Sequence, residues 1–337
     1  MRKIFSSLDI GSNTIKIIVG EFINNKLNIL NATKVTCRGY KNNYIINKEI
    51  LVEELKNALN KIEEDLNIKL RKVILNVPTD SIEFQLTDGR VDTLDGTVTS
   101  NDIVRLLQDV SKNKIAPRNE LICTLPIIFK VDDEETYKPF GKHGSILSVK
   151  SILVSTDKKT VYDLASVIAS CNLDIIDITT TGLVDYYNFK NPELDKKNIA
   201  IVNLGYTTTN ISIFSKGIFI NNKVIEDGGF YIDKEIAAKY NLKRNETEYL
   251  KEKLAIAVIN NADEKEKIKL VNKDGVEIEI NQYELTSLVS EKMDNLLKVI
   301  KKNINLLTKK EISYIIITGG LSEIKDINLL INNVFNK

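Results

Sequence analysis

Apolar and polar residues alternate over residues 4–8 and 15–22, and Asp9-Ile-Gly-Ser-Asn-Thr14 separates the two stretches. Period-two alternation broken by a glycine-containing turn predicts paired β-strands, and residues 26–36 extend the pair into a meander. Over residues 47–67 the period lengthens. Ile50, Leu51, Leu55, Leu59, Ile62 and Leu66 fall on one side of a predicted helix, and the apolar strand 73–77 that follows stops at Pro78. Strands, a crossover helix and a further strand specify a covered, partly parallel sheet.

The pattern then changes. Residues 81–156 begin with a polar, Asp-rich stretch, continue with a helix over 102–112 behind Thr99 and Ser100, and end in strands 121–131 and 145–155, which reads as a small inserted α+β unit. A helix over 158–171, with Val161, Leu164, Ala165 and Ile168 on its apolar side, and a strand over 173–179 return the chain to the first sheet. Past a polar linker ending at Lys196 and Lys197, strands 198–204 and 210–220 flank a Gly-Tyr-Thr-Thr turn. Residues 233–260 read as charged helix, 267–280 as a hairpin over Lys273-Asp-Gly275, 283–307 as a long helix and 314–318 as a strand.

The two turns align without a gap. Asp9-Ile-Gly-Ser-Asn-Thr14 and Asn203-Leu-Gly-Tyr-Thr-Thr208 both read Asp/Asn-apolar-Gly-x-x-Thr, each between apolar strands. One such turn is an ordinary hairpin. Two copies in one chain suit a clamp on a polyphosphate: Gly11 and Gly205 let backbone approach closely, and turn N–H groups with Ser12, Asn13, Thr14, Thr207, Thr208 and Thr209 can donate to phosphate oxygens. Asp9 is the candidate for holding Mg²⁺ through the ion's waters. A third element, Ile315-Ile-Ile-Thr-Gly-Gly-Leu-Ser322, runs an apolar strand into Gly319 and Gly320, where a flat base can lie against main chain. The order of these elements is that of the actin and sugar-kinase superfamily, with ATP as the expected ligand.

Composition removes other classes. Lys and Arg total 47 against 46 Asp and Glu, so no overall field recruits nucleic acid. Cys37, Cys123 and Cys171 form no CxxC pair, which excludes a zinc ribbon and fits reduced thiols in a cytosol. His143, the one histidine, lies in a Gly-Lys-His-Gly loop, so no histidine metal cluster exists. No run of 18 apolar residues and no signal sequence are present, which predicts a cytoplasmic protein.

Within the superfamily the chain resembles FtsA, the actin homologue that tethers the bacterial division ring to the membrane. Leu8-Asp-Ile-Gly-Ser-Asn-Thr-Ile-Lys-Ile-Ile-Val-Gly-Glu21 is similar to that family's first phosphate motif, and Cys37-Arg-Gly-Tyr-Lys41 to its Ser-Arg-Gly turn. Leu125-Pro-Ile-Ile-Phe-Lys-Val-Asp and Pro139-Phe-Gly-Lys-His-Gly144 resemble parts of its inserted 1C subdomain. The resemblance implies an α/β actin-like ATPase fold: two duplicated ribonuclease-H-like domains with an inserted α+β 1C (SHS2) subdomain and a shortened C-terminal end. It assigns 1–80 and 157–197 to subdomain 1A, 81–156 to 1C, 198–230 and 303–337 to 2A, and 231–302 to 2B.

By position it also implies that Lys16, Tyr206, Gly228, Gly229, Glu248, Lys251 and Leu321 join the nucleotide site with the turns and Gly319-Gly320. Glu248 and Lys251, three apart on one helical face, equally suit a surface ion pair. Lys292 lies where the family often carries an Arg that helps bind the C-terminal peptide of FtsZ, although a solvated lysine is the plainer expectation. Further implied partners are a second copy of the chain in a head-to-tail filament, later division proteins at the insert, and the cytoplasmic face of the membrane through a C-terminal tail lying outside these 337 residues. Residues 324–335 are expected to pack on the sheet and not to be that tail.

Three departures weaken the expected chemistry. Asn203 replaces an aspartate usual in the second turn, Tyr206 replaces the second residue of a double glycine, and Gly182 stands where relatives carry a connector glutamate. Slow hydrolysis, or binding without turnover, is therefore expected of Asp9 and Asn203 as the catalytic pair. Two other functions compete: a static assembly-platform protein like the pilus component PilM, and a small-molecule kinase, for which no carboxylate base stands out.

Overall fold

The computed structural model describes residues 4–24, 26–112 and 114–335. Contacts divide the chain into two compact units, 1–184 and 185–337. The first runs through β1 (Ile4–Ile10), β2 (Thr14–Ile23), β3 (Lys26–Thr36), the two-residue pair β4 (Tyr40–Lys41) and β5 (Tyr44–Ile45), α1 (Lys48–Leu66) and β6 (Lys72–Val77). The insert follows as β7 (Glu83–Asp92), α2 (Ser100–Ser111), β8 (Asn119–Val131), β9 (Glu134–Thr136) and β10 (Ile146–Asp157). Next come α3 (Lys158–Ala169), β11 (Asp174–Thr180) and α4 (Thr181–Phe189), within which the division between units falls.

The main sheet of the first unit has the order β11-β6-β1-β2-β3. Leu8 pairs with Ile17 and Ile10 with Ile15, so these four buried residues share one face. Asn47 caps α1 by accepting from the Ile50 amide, and Asn67 ends it in a left-handed conformation that few residues other than glycine and asparagine adopt. Between these caps Leu51, Leu55, Ala58, Leu59 and Ile62 are buried. The Arg38-Gly39 turn has a structural explanation. The buried Glu54 carboxylate accepts from the Arg38 and Gly39 amides and from Arg38 Nε, while a Cβ on Gly39 would lie 2.5 Å from the Leu51 nitrogen.

The insert builds its own sheet, β7-β10-β8-β9, with α2 packed on it over a core of Val98, Leu106, Val110, Phe129, Val131, Leu147 and Val149. Its first strand lies inside the stretch expected to be merely polar. β7 carries no apolar alternation because Thr87 and Gly89 occupy positions facing the helix: Thr87 is buried, and a Cβ on Gly89 would meet Val110 Cγ1 at 2.3 Å. Close helix approach has replaced side-chain volume, which erased the usual strand signature. His143 accepts or donates through Nδ1 at 2.9 Å from Thr97 Oγ1 in this insert, a loop role.

The second unit contains β12 (Asn198–Leu204), β13 (Thr209–Ser215), β14 (Ile218–Ile225), α5 (Gly229–Tyr240), α6 (Arg244–Lys253), β15 (Lys267–Val271), β16 (Glu277–Asn281), α7 (Gln282–Leu307), β17 (Tyr314–Thr318), a 3₁₀ turn over Gly320–Glu323 and α8 (Ile327–Phe335). Its sheet order is β14-β13-β12-β17. The expected single strand 210–220 is two strands, because Lys216 and Gly217 both take positive φ and form a two-residue hairpin turn. The expected helix 233–260 is likewise broken: Asn241 ends α5 in the left-handed region, and past α6 the chain extends so that Ile256 bridges Lys325. α8 joins the core beside α7, with Ile327, Leu330 and Phe335 buried and Lys301 donating to the Val334 carbonyl.

Candidate functional site

Both predicted turns close with the same bond. Gly11 N–H donates to the Thr14 carbonyl and Gly205 N–H to the Thr208 carbonyl, each at 3.0 Å. The flanking registers match as well: Asp9 opposes Lys16 and Asn203 opposes Asn210 across their hairpins, and the parallel neighbour puts Asn76 beside Asp9 and Thr318 beside Asn203. The duplication seen in sequence is thus a duplication of backbone geometry.

In the first unit, Asp9 Oδ1 accepts from Asn76 Nδ2 at 2.9 Å, and Asn76 also donates to Thr181 Oγ1 at 3.1 Å. Lys16 Nζ stands 3.9 Å from Asp9 Oδ2, with the two side chains 54% and 43% exposed. An aspartate this open keeps its hydration, as water-mediated magnesium binding requires. Ser12 Oγ accepts from the Asn42 amide and the Asn13 carbonyl from the Cys37 amide, which fixes the turn against the chain that follows β3.

In the second unit three glycine-bearing segments converge. A Cβ on Gly205 would lie 2.5 Å from the Thr208 carbonyl oxygen, one on Gly228 2.5 Å from that of Gly205, and one on Gly319 2.4 Å from that of Leu204. Main chain rests directly on main chain here, and Gly319 also takes φ of 90°. Thr209 Oγ1 donates to the Asp227 carbonyl at 2.9 Å. The Gly229 and Phe230 amides donate to the Gly205 and Tyr206 carbonyls, so these two N–H groups of α5 hold the turn instead of pointing at a ligand. Burial raises the carboxyl pKa of Asp227 above the usual range. Gly320 differs from its neighbour: a Cβ there would meet nothing within 4 Å, which leaves an open backbone shelf beside the buried Leu321.

Lys251 does not form the surface ion pair that its spacing from Glu248 allows. It is 8% exposed, and its Nζ lies 2.6 Å from Asp233 Oδ1. Burial drives the Asp233 carboxyl pKa up, with Lys251 pulling against it and Glu248 adding to the rise. Lys292, on α7, pairs with Glu235 at 3.1 Å across half-exposed side chains. Asp233, Asn76, Thr181 and Thr318 were outside the sequence-based site; polar residues at the ends of parallel strands were the available signal for Asn76 and Thr318. Asp185, on α4 three residues past Gly182, reaches the second turn: its Oδ2 accepts from Asn203 Nδ2 and Thr318 Oγ1, both at 3.1 Å.

Two mixed sheets, each with a glycine turn between its first hairpin strands, and an SHS2-type insert in the first unit define an actin-like ATPase fold. Solved structures agree. The PilM-PilN type IV pilus biogenesis complex matches with TM-score 0.64 at 11% identity, over 98% of this chain and 86% of that chain. MreB5 of Spiroplasma citri bound to ADP matches with TM-score 0.59 at 14% identity, over 99% and 90%. The family model for cell division protein FtsA matches residues 200–337, and that for the SHS2 domain inserted in FtsA matches 79–155. Proteins called cell division protein FtsA are 23% identical in Bacillus subtilis (strain 168), over 98% of this chain and 77% of that protein, and 24% identical in Buchnera aphidicola subsp. Baizongia pistaciae, over 99% and 82%. The chain belongs to the FtsA family.

Proposed function

We propose that this protein is an ATP-binding, actin-like cell-division protein that polymerises head to tail and links the FtsZ ring to the cytoplasmic face of the membrane at the division site. The observation that carries this reading is the similarity to FtsA proteins over nearly the whole chain, together with the paired turns that both close through the same Gly-to-Thr bond. Subdomains 1A, 1C, 2A and 2B take the boundaries given above. Among the described residues no helix is long and apolar enough to cross a membrane.

The residues suit an adenine nucleotide. The backbone N–H groups of the two turns, with the Ser12, Thr14 and Thr208 hydroxyls, would hold phosphates, whereas the buried Thr209 hydroxyl is taken up by the Asp227 carbonyl; the open shelf at Gly320 gives a base a surface without side chain. Mg²⁺, when bound, supplies charge neutralisation at the phosphates, and the exposed Asp9 carboxylate would hold it through water. Asn203 brings no charge, and the nearby Asp185 is bound to two donors, so hydrolysis is slow. The nucleotide then serves to set conformation and assembly.

Surface features support association. Ile18, Phe22, Leu27 and Ile29 are 44–57% exposed on β2 and β3, an apolar patch of the kind that marks interaction sites. Pelleting with ATP, with and without the FtsZ C-terminal peptide, tests the proposal. Filaments in ATP and peptide capture are expected; the absence of both would overturn the proposal.

A further inference from the structure

Tyr206 is the residue at which the two turns differ most in bulk, since its counterpart in the first turn is Ser12. Its main chain belongs to the phosphate turn, but its side chain leaves the turn and enters the space between α5, α6 and the corner after β17. A Cβ on Gly229 would lie 3.5 Å from Tyr206 Cδ2, 3.5 Å from Lys251 Nζ and 3.4 Å from Leu321 Cδ2, so these three side chains converge on the one residue there that has none. Arg244 covers the ring at 4.8 Å from its centroid, Lys251 approaches to 5.9 Å, and Phe230 meets it edge-on at 5.8 Å. An aromatic plane under a guanidinium and beside an ammonium is how a planar base would be held at the same place.

The polar atoms of this pocket are poorly served by the ring. The Tyr206 hydroxyl and the Asp233 carboxylate meet in this pocket, with Arg244 also facing the hydroxyl, but neither the hydroxyl nor Asp233 Oδ2 completes a well-aligned hydrogen bond, and Asp233 Oδ1 is paired with Lys251. Buried polar atoms are ordinarily well bonded, and a hydroxyl and a carboxylate oxygen held together without a well-aligned bond leave room for an occupant that bonds them better than the ring does. Next to the pocket, the space above Gly320 is open.

We propose that Tyr206 is an internal stand-in for the nucleoside of a bound nucleotide: its ring fills the subsite formed by Gly229, Lys251 and Leu321, and the base and ribose enter as the ring turns out toward solvent. This rests on the nucleotide-binding reading above and adds to it a residue that sets affinity. The phosphates are held by the turn whichever way the ring points. The nucleoside alone competes with it, and the apparent dissociation constant rises by the inverse of the fraction of molecules with the ring out.

The test compares Mg-ATP and inorganic tripolyphosphate binding by calorimetry in the wild-type chain, Tyr206→Gly and Tyr206→Phe. Tyr206→Gly is expected to bind ATP about tenfold more tightly, as for a ring that is out in about a tenth of molecules, with tripolyphosphate affinity unchanged. Tyr206→Phe keeps the ring and is expected to stay near wild type for both ligands. Equal or weaker ATP binding by Tyr206→Gly overturns the proposal, and so does an equal gain for tripolyphosphate, which would signal general loosening. Absence of ATP binding in all three chains would instead remove the nucleotide reading itself.

A second readout covers the case in which Tyr206→Gly does not fold. Burial, with Asp233 nearby, pushes the Tyr206 hydroxyl up to about 12. In ultraviolet titration the transition absent from Tyr206→Phe is expected to fall toward the ordinary tyrosine range when ATP is bound. An unchanged transition with ATP bound overturns the proposal.

Discussion

The two turns share a backbone and differ in chemistry. In the first unit the strand supplies the carboxylate, Asp9, and the parallel neighbour supplies the amide, Asn76. In the second the strand supplies the amide, Asn203, and the carboxylate comes from Asp185 on the connector helix, with Thr318 of the parallel neighbour as second donor. An aspartate at 203 would set two carboxylates against each other, whereas the amide donates a hydrogen bond to Asp185. Asn203 therefore is not simply a lost catalytic acid. It is half of an exchanged pair, and the carboxylate beside the second turn is already bound to two donors.

The largest effect expected from this contrast lies in the glycines. Gly205→Ala forces a Cβ to 2.5 Å from a carbonyl oxygen, but Gly11→Ala places one at 3.2 Å from its counterpart. Chemical denaturation is expected to show a loss of about 3 kcal/mol for the former and about 1 kcal/mol for the latter. Equal losses would mean the turns are not packed differently. Next comes Asn203→Asp, expected to cost about 2 kcal/mol at neutral pH through the like-charge contact with Asp185. Adding Asp185→Asn should restore most of that stability, and additive losses in the double variant would break the exchanged-pair account. Smallest is Lys292→Ala: its partner is exposed, so the thermal midpoint should move by the equivalent of no more than about 0.5 kcal/mol. A larger shift would give that lysine a structural weight its surroundings do not suggest.

Much of this was legible because main-chain geometry writes itself into short motifs. Gly205 and Gly319 are glycines because carbonyl oxygens lie within 2.5 Å of where a Cβ would sit, and that requirement is visible as Gly-x-x-Thr and Thr-Gly-Gly. Asn47 and Asn67 mark both ends of α1 for equally local reasons. What escaped was set by distant neighbours. β7 hides because α2 presses on Gly89. Lys251 looked like the partner of Glu248, three residues away on its own helix, and belongs to Asp233 of α5 because burial gave it a closer carboxylate. The role of Asp185 depends on which way one turn of α4 faces, and no spacing rule carries that. Tyr206 was readable as a departure from two glycines, but where its ring goes was not.

The proposed nucleotide site has its base over Gly320, and this position tests the proposal with little structural interference. Gly319 cannot change without a backbone collision, but a side chain on Gly320 meets no atom within 4 Å and only the space assigned to the ligand. Calorimetric titration of Gly320→Val with Mg-ATP, beside the wild type and with the thermal midpoint measured on both, is the direct measurement. An unchanged midpoint with at least about a tenfold loss of ATP affinity, roughly 1.4 kcal/mol, is predicted. Unchanged affinity in a folded Gly320→Val chain would contradict the assignment of the site.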